Sequence, residues 1–393
     1  MEMKSLALLL LAVSALPAQS LAGLWDAMVT VSGREIPFRM EIAGAAPNLR
    51  GWFFNGEEKI VSTSGRFENS HLLLLFDYYA GRLEATVQDG VLNGTYSRPS
   101  GTYPFHARRF TPPSTDAAGI PSIAGLWEME AKSTKGEAAW RLIVRQSGPE
   151  VSAAILRVDG DTGELSGRWR NGKFILSHFS GARPAMFEVT SRPDGTLTIV
   201  EGTATMTAHR SKDARAKGLP APTDPSRHTS MKDPTEPFRF SFPDLTGRIV
   251  SNTDARFRNK VVTVTIGGSW CPNCHDEAPF LMDLYRKYRS RGLEIVALSF
   301  EDGDQLTNPK RLRAFLKKYG IEYPTLLAGE TGQLNEKIPQ AANLNSWPTS
   351  FFLGRDGRVR SVHAGFAGKA AGEFHTQLRE EVTALVEKLL NEK

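Results

Sequence analysis

Two small all-β modules followed by an α/β domain form the architecture this sequence predicts, and three observations predict it. The pentapeptide Ala22-Gly23-Leu24-Trp25-Asp26 returns as Ala124-Gly125-Leu126-Trp127-Glu128, which marks an internal repeat. Both copies lack long helical periodicity and are punctuated by Asn-Gly and Asp-Gly pairs, the preferred two-residue hairpin turns. From residue 237 onward, β-branched runs alternate with amphipathic segments, and the chain's 2 cysteines stand between one such run and the segment after it.

At 393 residues the chain is long enough for two or three domains, and its 40% hydrophobic content is ordinary for a globular protein. The formal charge of +5 comes without a Lys/Arg block, so no nucleic-acid partner is expected. Residues 1–20 read as a signal peptide: Lys4 supplies the positive start, and Leu6 to Leu16 form an apolar core too short to span a bilayer. Ala18-Gln19-Ser20 places small residues at both cleavage positions, and Ser20-Leu21-Ala22 is a second candidate. Retention of the segment as an N-terminal anchor is the alternative. No cysteine lies near the cut, which excludes a lipoprotein, and the expected location is outside the cytoplasm, in a periplasm.

The β modules are expected at 21–112 and 120–212. Ser64-Gly65-Arg66-Phe67-Glu68-Asn69 recurs in register as Ser166-Gly167-Arg168-Trp169-Arg170-Asn171; later the register drifts, although Asp89-Gly90 and Asp194-Gly195 still correspond. Six to eight short strands per copy suggest a small antiparallel barrel or sandwich, with turns at Asn55-Gly56 and Asn171-Gly172. Trp25 and Trp127 are expected to plug the barrel ends. The Leu72–Leu75 run has no polar alternation and is expected to be buried on both sides. A cup for a small apolar ligand and a docking surface for a partner are both open readings. Residues 213–236, rich in proline and charge, have linker composition, partly extended and exposed.

The C-terminal domain, 237–393, reads as strand Val261–Ile266, helix Asp276–Arg291, strand Glu294–Phe300, helix Pro309–Tyr319, a hairpin of Thr349–Leu353 and Val359–His363, and a closing helix Ala371–Leu390. A parallel unit, a hairpin and a final helix make a central mixed sheet with helices on both faces, a thioredoxin-like fold. Trp270-Cys271-Pro272-Asn273-Cys274 lies between its first strand and first helix, the context that makes C-x-x-C a redox motif. The unpaired N–H groups and dipole of a helix start stabilise a thiolate. A drop in cysteine pKa from about 8.5 to about 7 raises the attacking thiolate fraction more than tenfold at neutral pH. Cys271, the outer thiol, is expected to attack and Cys274 to resolve. His275 completes C-x-x-C-H, the c-type haem signature, but that reading needs an open pocket and a second axial ligand. A zinc site would want four ligands, and no further cysteine exists.

Three stretches resemble the TlpA/ResA-like thioredoxins, exported bacterial thiol-disulfide oxidoreductases. They are Phe242-Pro243-Asp244-Leu245-Thr246-Gly247, Trp270-Cys271-Pro272-Asn273-Cys274-His275-Asp276-Glu277-Ala278-Pro279 and Trp347-Pro348-Thr349-Ser350-Phe351-Phe352-Leu353, and the resemblance covers 237–393 alone. It implies reduction of disulfides in exported substrates, which in some members are cytochrome c apoproteins, with recharging by a membrane thiol donor. The redox-active group is then the Cys271–Cys274 pair itself, with no other cofactor and no metal. Departures are Gly267-Gly268, where the family usually carries an aromatic and a small residue, and the bulky Trp347.

The resemblance also assigns Pro348 as the cis-proline of the fold, turning a backbone edge toward the dithiol where a substrate strand pairs. Glu277, three residues after Cys274, shares its helix face and is expected to take the resolving thiol's proton. Trp270 is expected to shield the disulfide, and Pro279 to kink the helix. His363, Glu373 and His375 around the loop Ala364-Gly365-Phe366-Ala367-Gly368 read as surface and cap residues rather than metal ligands. Gly268 and Val264 stand where a peroxidase would place its hydroxyl and proline. The reading is an exported protein-disulfide reductase; the alternatives are an envelope protein whose β modules carry a binding function, and a haem carrier. Iodoacetamide should alkylate Cys271 much faster than Cys274 in the reduced protein at neutral pH; equal rates, or a faster Cys274, by peptide mapping would overturn the assignment.

Overall fold

The computed structural model describes residues 20–112 and 119–392, so the expected signal peptide lies, but for Ser20, outside the described residues. Residues 23–109 form a nine-stranded antiparallel sheet from Gly23–Val31 to Gly101–Arg109. It curls shut: the first strand pairs with the last, Trp25 opposite Arg109, and Arg34–Ala45 pairs with Asn48–Asn55. Eight strands close the barrel, and Glu58–Val61 hangs on the outside of Asn48–Asn55. Residues 125–210 repeat this arrangement strand for strand, with Gly160–Asp161 as the outside strand. Closure leaves neither copy a long free edge for intermolecular pairing.

Several turns are as the sequence implied. Asp89-Gly90 and Asn171-Gly172 both lie between directly paired residues and have positive φ at both positions, the hairpin geometry that only residues tolerant of left-handed backbone adopt. At Asn55-Gly56 the register is shifted: Asn55 pairs with Glu58, so the turn residues are Gly56 and Glu57. Each opening tryptophan is buried and donates its indole N–H to a backbone carbonyl four residues earlier, Trp25 to Leu21 and Trp127 to Ile123. Arg109 and Arg210 cover the two rings at 4.3 and 3.8 Å. The Leu72–Leu75 run is not buried on both sides. Leu72 and Leu74 fill the barrel, whereas Leu73 and Leu75 are half-buried on its outer wall, because a closed barrel has one interior.

The proposed apolar cup of the first barrel is filled. Phe53, Phe76 and Tyr96 occupy it, and Phe179 of the second barrel inserts between them, 5.3 Å from Phe53 and 5.1 Å from Tyr96 between ring centroids. The Tyr96 hydroxyl donates to Gly181 O at 2.9 Å, and the Ser177 hydroxyl to Pro37 O. The loop 179–184 thus staples the two barrels, with the end of the strand Lys173–His178 beside it.

The 213–236 stretch is mostly exposed, as its composition implied, but one part of it is docked. Its helix Pro225–His228 packs on the strand Val359–Ala364, and Ser230–Met231 pairs with Ala341–Ala342. His228 and Thr229 are buried, bonded to Asn345 and to Asn343 O. The segment is held by hydrogen bonds, which a scarcity of apolar residues does not reveal.

The C-terminal sheet has five strands in the order Thr325–Glu330, Leu293–Glu301, Val261–Gly267, Thr349–Leu353, Val359–Ala364. The first three are parallel and the last two antiparallel to their neighbours. Thr325–Glu330 escaped the sequence reading because six residues ending in Ala-Gly-Glu carry little strand signal; so did the hairpin Ser241–Pro243 with Ile249–Ser251. The helices Pro272–Tyr288 and Glu373–Asn391 share one apolar layer on the sheet, and Phe238, Leu334 and Ile338 cover the other face. The site helix begins four residues earlier than expected, with Cys271 as N-cap and Pro272 in its first turn.

Both barrels lean on this domain. The turn Asp77–Tyr79 packs against helix Lys310–Tyr319, and the second barrel's loop 158–163 lies over the start of the site helix. Truncation of the stapling ring, Phe179→Ala, should cost about 3 kcal/mol, typical of a buried phenylalanine. Urea unfolding reads this, and a loss below about 1 kcal/mol would mean that the loop closes no core.

Candidate active site

The loop before the dithiol is shaped by two glycines and a buried ion pair. A Cβ on Gly268 would come within 2.3 Å of the Trp270 indole nitrogen and 2.4 Å of Phe300 O. Its absence lets Trp270 fold back, donate its N–H to Phe300 O at 2.9 Å and meet Trp347 edge to face. A Cβ on Gly267 would stand 2.9 Å from Cys274 Sγ. These contacts account for the departure from the family pattern at 267–268.

Ser269 is clamped. Its backbone N–H and hydroxyl both donate to the Glu301 carboxylate at 2.7 Å, and Arg311 donates Nε–H to the hydroxyl at 2.8 Å. Arg311 and Glu301 form a fully buried ion pair, with Asp302 on the third guanidinium nitrogen at 2.7 Å. Pairing with satisfied hydrogen bonds is what makes such burial tolerable. No sequence signal marks this network; Arg311 sits on a helix that looks merely amphipathic.

Cys271 is wholly shut from solvent and Cys274 nearly so, both as free thiols. Cys271 Sγ faces Trp347 O at 3.6 Å, and the Trp347–Pro348 bond is cis. Burial works against a Cys271 thiolate. A hydrogen bond from the Cys274 thiol, the Arg183 guanidinium and the Cys274 backbone N–H outweigh it, so the Cys271 thiol lies below its ordinary range. Cys274 is pushed well up by burial, by its bond to Cys271 and by the neighbouring Glu277. The two thiols are therefore split in the sense that an attacking and a resolving cysteine require.

Glu277 is buried, which raises its carboxyl to about 7 against the pull of hydroxyl donors Thr265 and Ser350, each at 2.8 Å. A cavity of about 40 Å³ borders both Cys274 and Glu277, enough volume to seat water. His275 is buried and neutral, since burial and then Lys318 hold its pKa well below the usual value. Its Nε2–H donates to Ser269 O, so Nδ1 accepts from the Tyr319 hydroxyl, both at 2.9 Å. With Tyr79 at 4.2 Å and Phe315 at 4.7 Å against the ring, neither nitrogen is free to bind a haem iron. His363 and His375 each bond a carbonyl of the Gly365 loop, Gly365 O and Ala367 O. Among the described residues no group of three His, Cys, Asp or Glu could hold a metal.

The barrels supply residues that sequence reasoning missed. Arg183 donates to Asn273 Oδ1 at 3.4 Å, and Asn273 Nδ2 donates to Asp159 O. Asn273 is buried inside this contact and Asp276 is half-buried beside it, with the Asp276 carboxyl pushed well up by desolvation and by Asp161. Nothing in an isolated Asp-Gly or an arginine flanked by turn residues announces a contact with a motif ninety residues away.

Comparison with known proteins follows the C-terminal domain. A family model described as AhpC/TSA family matches residues 235–362. The thiol-disulfide oxidoreductase ResA of Bacillus cereus (strain ATCC 10987 / NRS 248) is 31% identical over 136 residues, which span 34% of this chain and 70% of that protein. The chain belongs to the ResA-like family of thiol-disulfide oxidoreductases. The Bacillus subtilis (strain 168) ResA is 25% identical over 136 residues, 35% of this chain and 69% of that one. A crystal structure of a thioredoxin family thiol:disulfide interchange protein from Chlorobium tepidum TLS aligns at 24% identity and TM-score 0.31, covering 41% of this chain and 100% of its own. The family likeness makes the chain an oxidoreductase of disulfides, and the family model and the relatives' alignments leave most of the chain unmatched.

Glu277 gives a pH test. Its carboxyl stays protonated in the folded chain up to about 7, but ionises near its ordinary value of 4.5 once unfolded. Its contribution to stability is therefore complete below the unfolded value and is lost as pH rises through the folded one, a swing of roughly 3 kcal/mol. Glu277→Gln stays neutral throughout, so it should gain stability relative to the parent between about pH 4 and about pH 8. Parallel stability curves in urea would show that Glu277 is not a buried acid.

Proposed function

We propose that the chain is an exported protein-disulfide reductase working by mixed-disulfide exchange. One observation carries this reading: a buried dithiol with the outer thiol depressed, the inner thiol raised and a carboxyl poised near neutrality on the inner side. The Cys271 thiolate attacks one sulfur of a substrate disulfide, forming a mixed disulfide and expelling the other sulfur as a thiolate, which then takes up a proton. Cys274 gives its proton to Glu277, directly or through the adjoining cavity, and its thiolate attacks Cys271 Sγ. The substrate leaves with both sulfurs reduced, and the enzyme holds a Cys271–Cys274 disulfide, which a thiol donor at the membrane reduces again. A carboxyl near 7 suits this task, being able to accept and return a proton at working pH.

The direction rests on how weakly the thiolate is held. A dithiol oxidises others when its reduced form is strongly stabilised. Here Pro272 and Asn273 between the cysteines are uncharged, and burial offsets part of what the Cys274 thiol and Arg183 do to hold the Cys271 charge. Trp270 and the cis Trp347–Pro348 peptide wall the site, and the Pro348 backbone offers the edge for a substrate strand. Export is supported by the leader-like residues 1–20, and among the described residues no helix is long and apolar enough to cross a membrane.

Insulin reduction with a dithiol donor should be abolished by Cys271→Ser. The potential should fall nearer about −270 mV, that of thioredoxin, than about −120 mV. A value above about −180 mV at equilibrium with glutathione would make the protein an isomerase or oxidase instead.

A further inference from the structure

The attacking sulfur is inaccessible in the folded chain, and loops of the second barrel pack against the residues beside it. Three features describe the cover. Gly160 forms a parallel β-bridge with Phe366 of the loop beside the cis-proline, and Gly365 N donates to Pro348 O. Glycine is required on both sides of that contact: a Cβ on Gly160 would lie 2.1 Å from Phe366 O, and one on Gly365 would lie 2.3 Å from Val158 O. Asn273, inside the C-x-x-C motif, is held by Asp159 O on one side of its amide and by Arg183 on the other. Lys135 pins Asp159 from within the same barrel, and its own backbone O accepts from Asn345 of the thioredoxin-like domain.

Disulfide exchange needs the attacking thiolate to approach a substrate sulfur directly, so access limits its rate. No such approach exists while Cys271 has 0% exposure. We propose that the loop Val158–Gly163 is a cap in cis: it pairs with the Phe366 backbone and holds Asn273, beside the Pro348 edge a substrate strand would use, so that a strand arriving there meets it. A substrate must displace it, and the cap thereby sets which disulfide-bearing polypeptides the dithiol accepts. The inference rests on the disulfide-exchange reading for its chemistry, whereas the cap itself is a matter of geometry. The glycine pair fits this role, because backbone against backbone imitates the pairing a peptide strand would make.

Two variants of the full chain test it. Gly160→Val places a side chain where Phe366 O and Asn273 stand, and Lys135→Glu turns the Asp159 ion pair into a repulsion. Both should raise the rate of Cys271 alkylation by iodoacetamide about tenfold or more, since burial limits thiol reactivity. Both should raise the rate of insulin reduction too. Alkylation at the parent rate in both folded variants, with the parent active on insulin, would overturn the cap. Faster alkylation with no insulin reduction by any form would leave the cap standing and sink the reductase reading. Should both variants unfold, hydrogen exchange of the parent with Cys271 alkylated reads the same displacement. Raised exchange at the Phe366 amide, which donates to Asp159 O, supports the cap, and unchanged protection overturns it.

Discussion

A thiolate at Cys271 is a charge with almost no water around it, and the rest of the structure is arranged about that constraint. An uncompensated buried charge costs several kcal/mol, so the site must provide in fixed groups what solvent would otherwise give. The Cys274 thiol, the Cys274 N–H at the helix start and Arg183 do this. Each is placed by something else. The helix start is set by Pro272 and by the Ser269 clamp to Glu301 and Arg311; Arg183 is set by the loop that drives Phe179 into the first barrel. The charge at the reaction centre thus depends on packing inside a domain that carries none of the motif.

Duplication explains how two barrels reach one site. In each copy the connection between the sixth and seventh strands faces the thioredoxin-like domain: Asp77–Ala80 in the first, Phe179–Pro184 in the second. The first sets Tyr79 on His275, and the second sets Arg183 on Asn273. The connection between the third and fourth strands is also reused. In the second copy it is the cap over the dithiol; in the first it is the Gly56-Glu57 turn, whose neighbour Asn55 accepts from Glu164 N. The two copies keep one barrel and differ at these loops, and the sequence register begins to drift at the connection between the sixth and seventh strands, 77–80 in the first copy and 179–184 in the second.

Much of this was legible and some was not, for physical reasons. The C-x-x-C between strand and helix, the repeat, the two-residue turns and the mixed sheet all follow from local spacing and periodicity. The Ser269–Glu301–Arg311 clamp does not, because buried charges look like surface charges until their partners are known. The docking of 225–231 within the linker was hidden for a related reason: hydrogen bonds from His228 and Thr229 to Asn345 and Asn343 help hold it. The cap was hidden most deeply. It is written in Gly160 and Gly365, and a glycine in a turn reads as backbone freedom, whereas here the missing Cβ atoms are what let two backbones touch.

The cap and the thiolate meet at Asn273, whose amide is shared between Asp159 O of the cap and Arg183 of the neighbouring loop. With the cap in place, the guanidinium helps hold the Cys271 charge and the sulfur is unreachable. Arg183 rides on the loop 179–184, which Phe179 anchors in the first barrel, so displacing the cap exposes the sulfur while the guanidinium stays. The thiolate keeps that stabilisation as it becomes reachable. Exchange needs direct approach of thiolate to disulfide, so access, rather than thiolate stability, is what the cap controls.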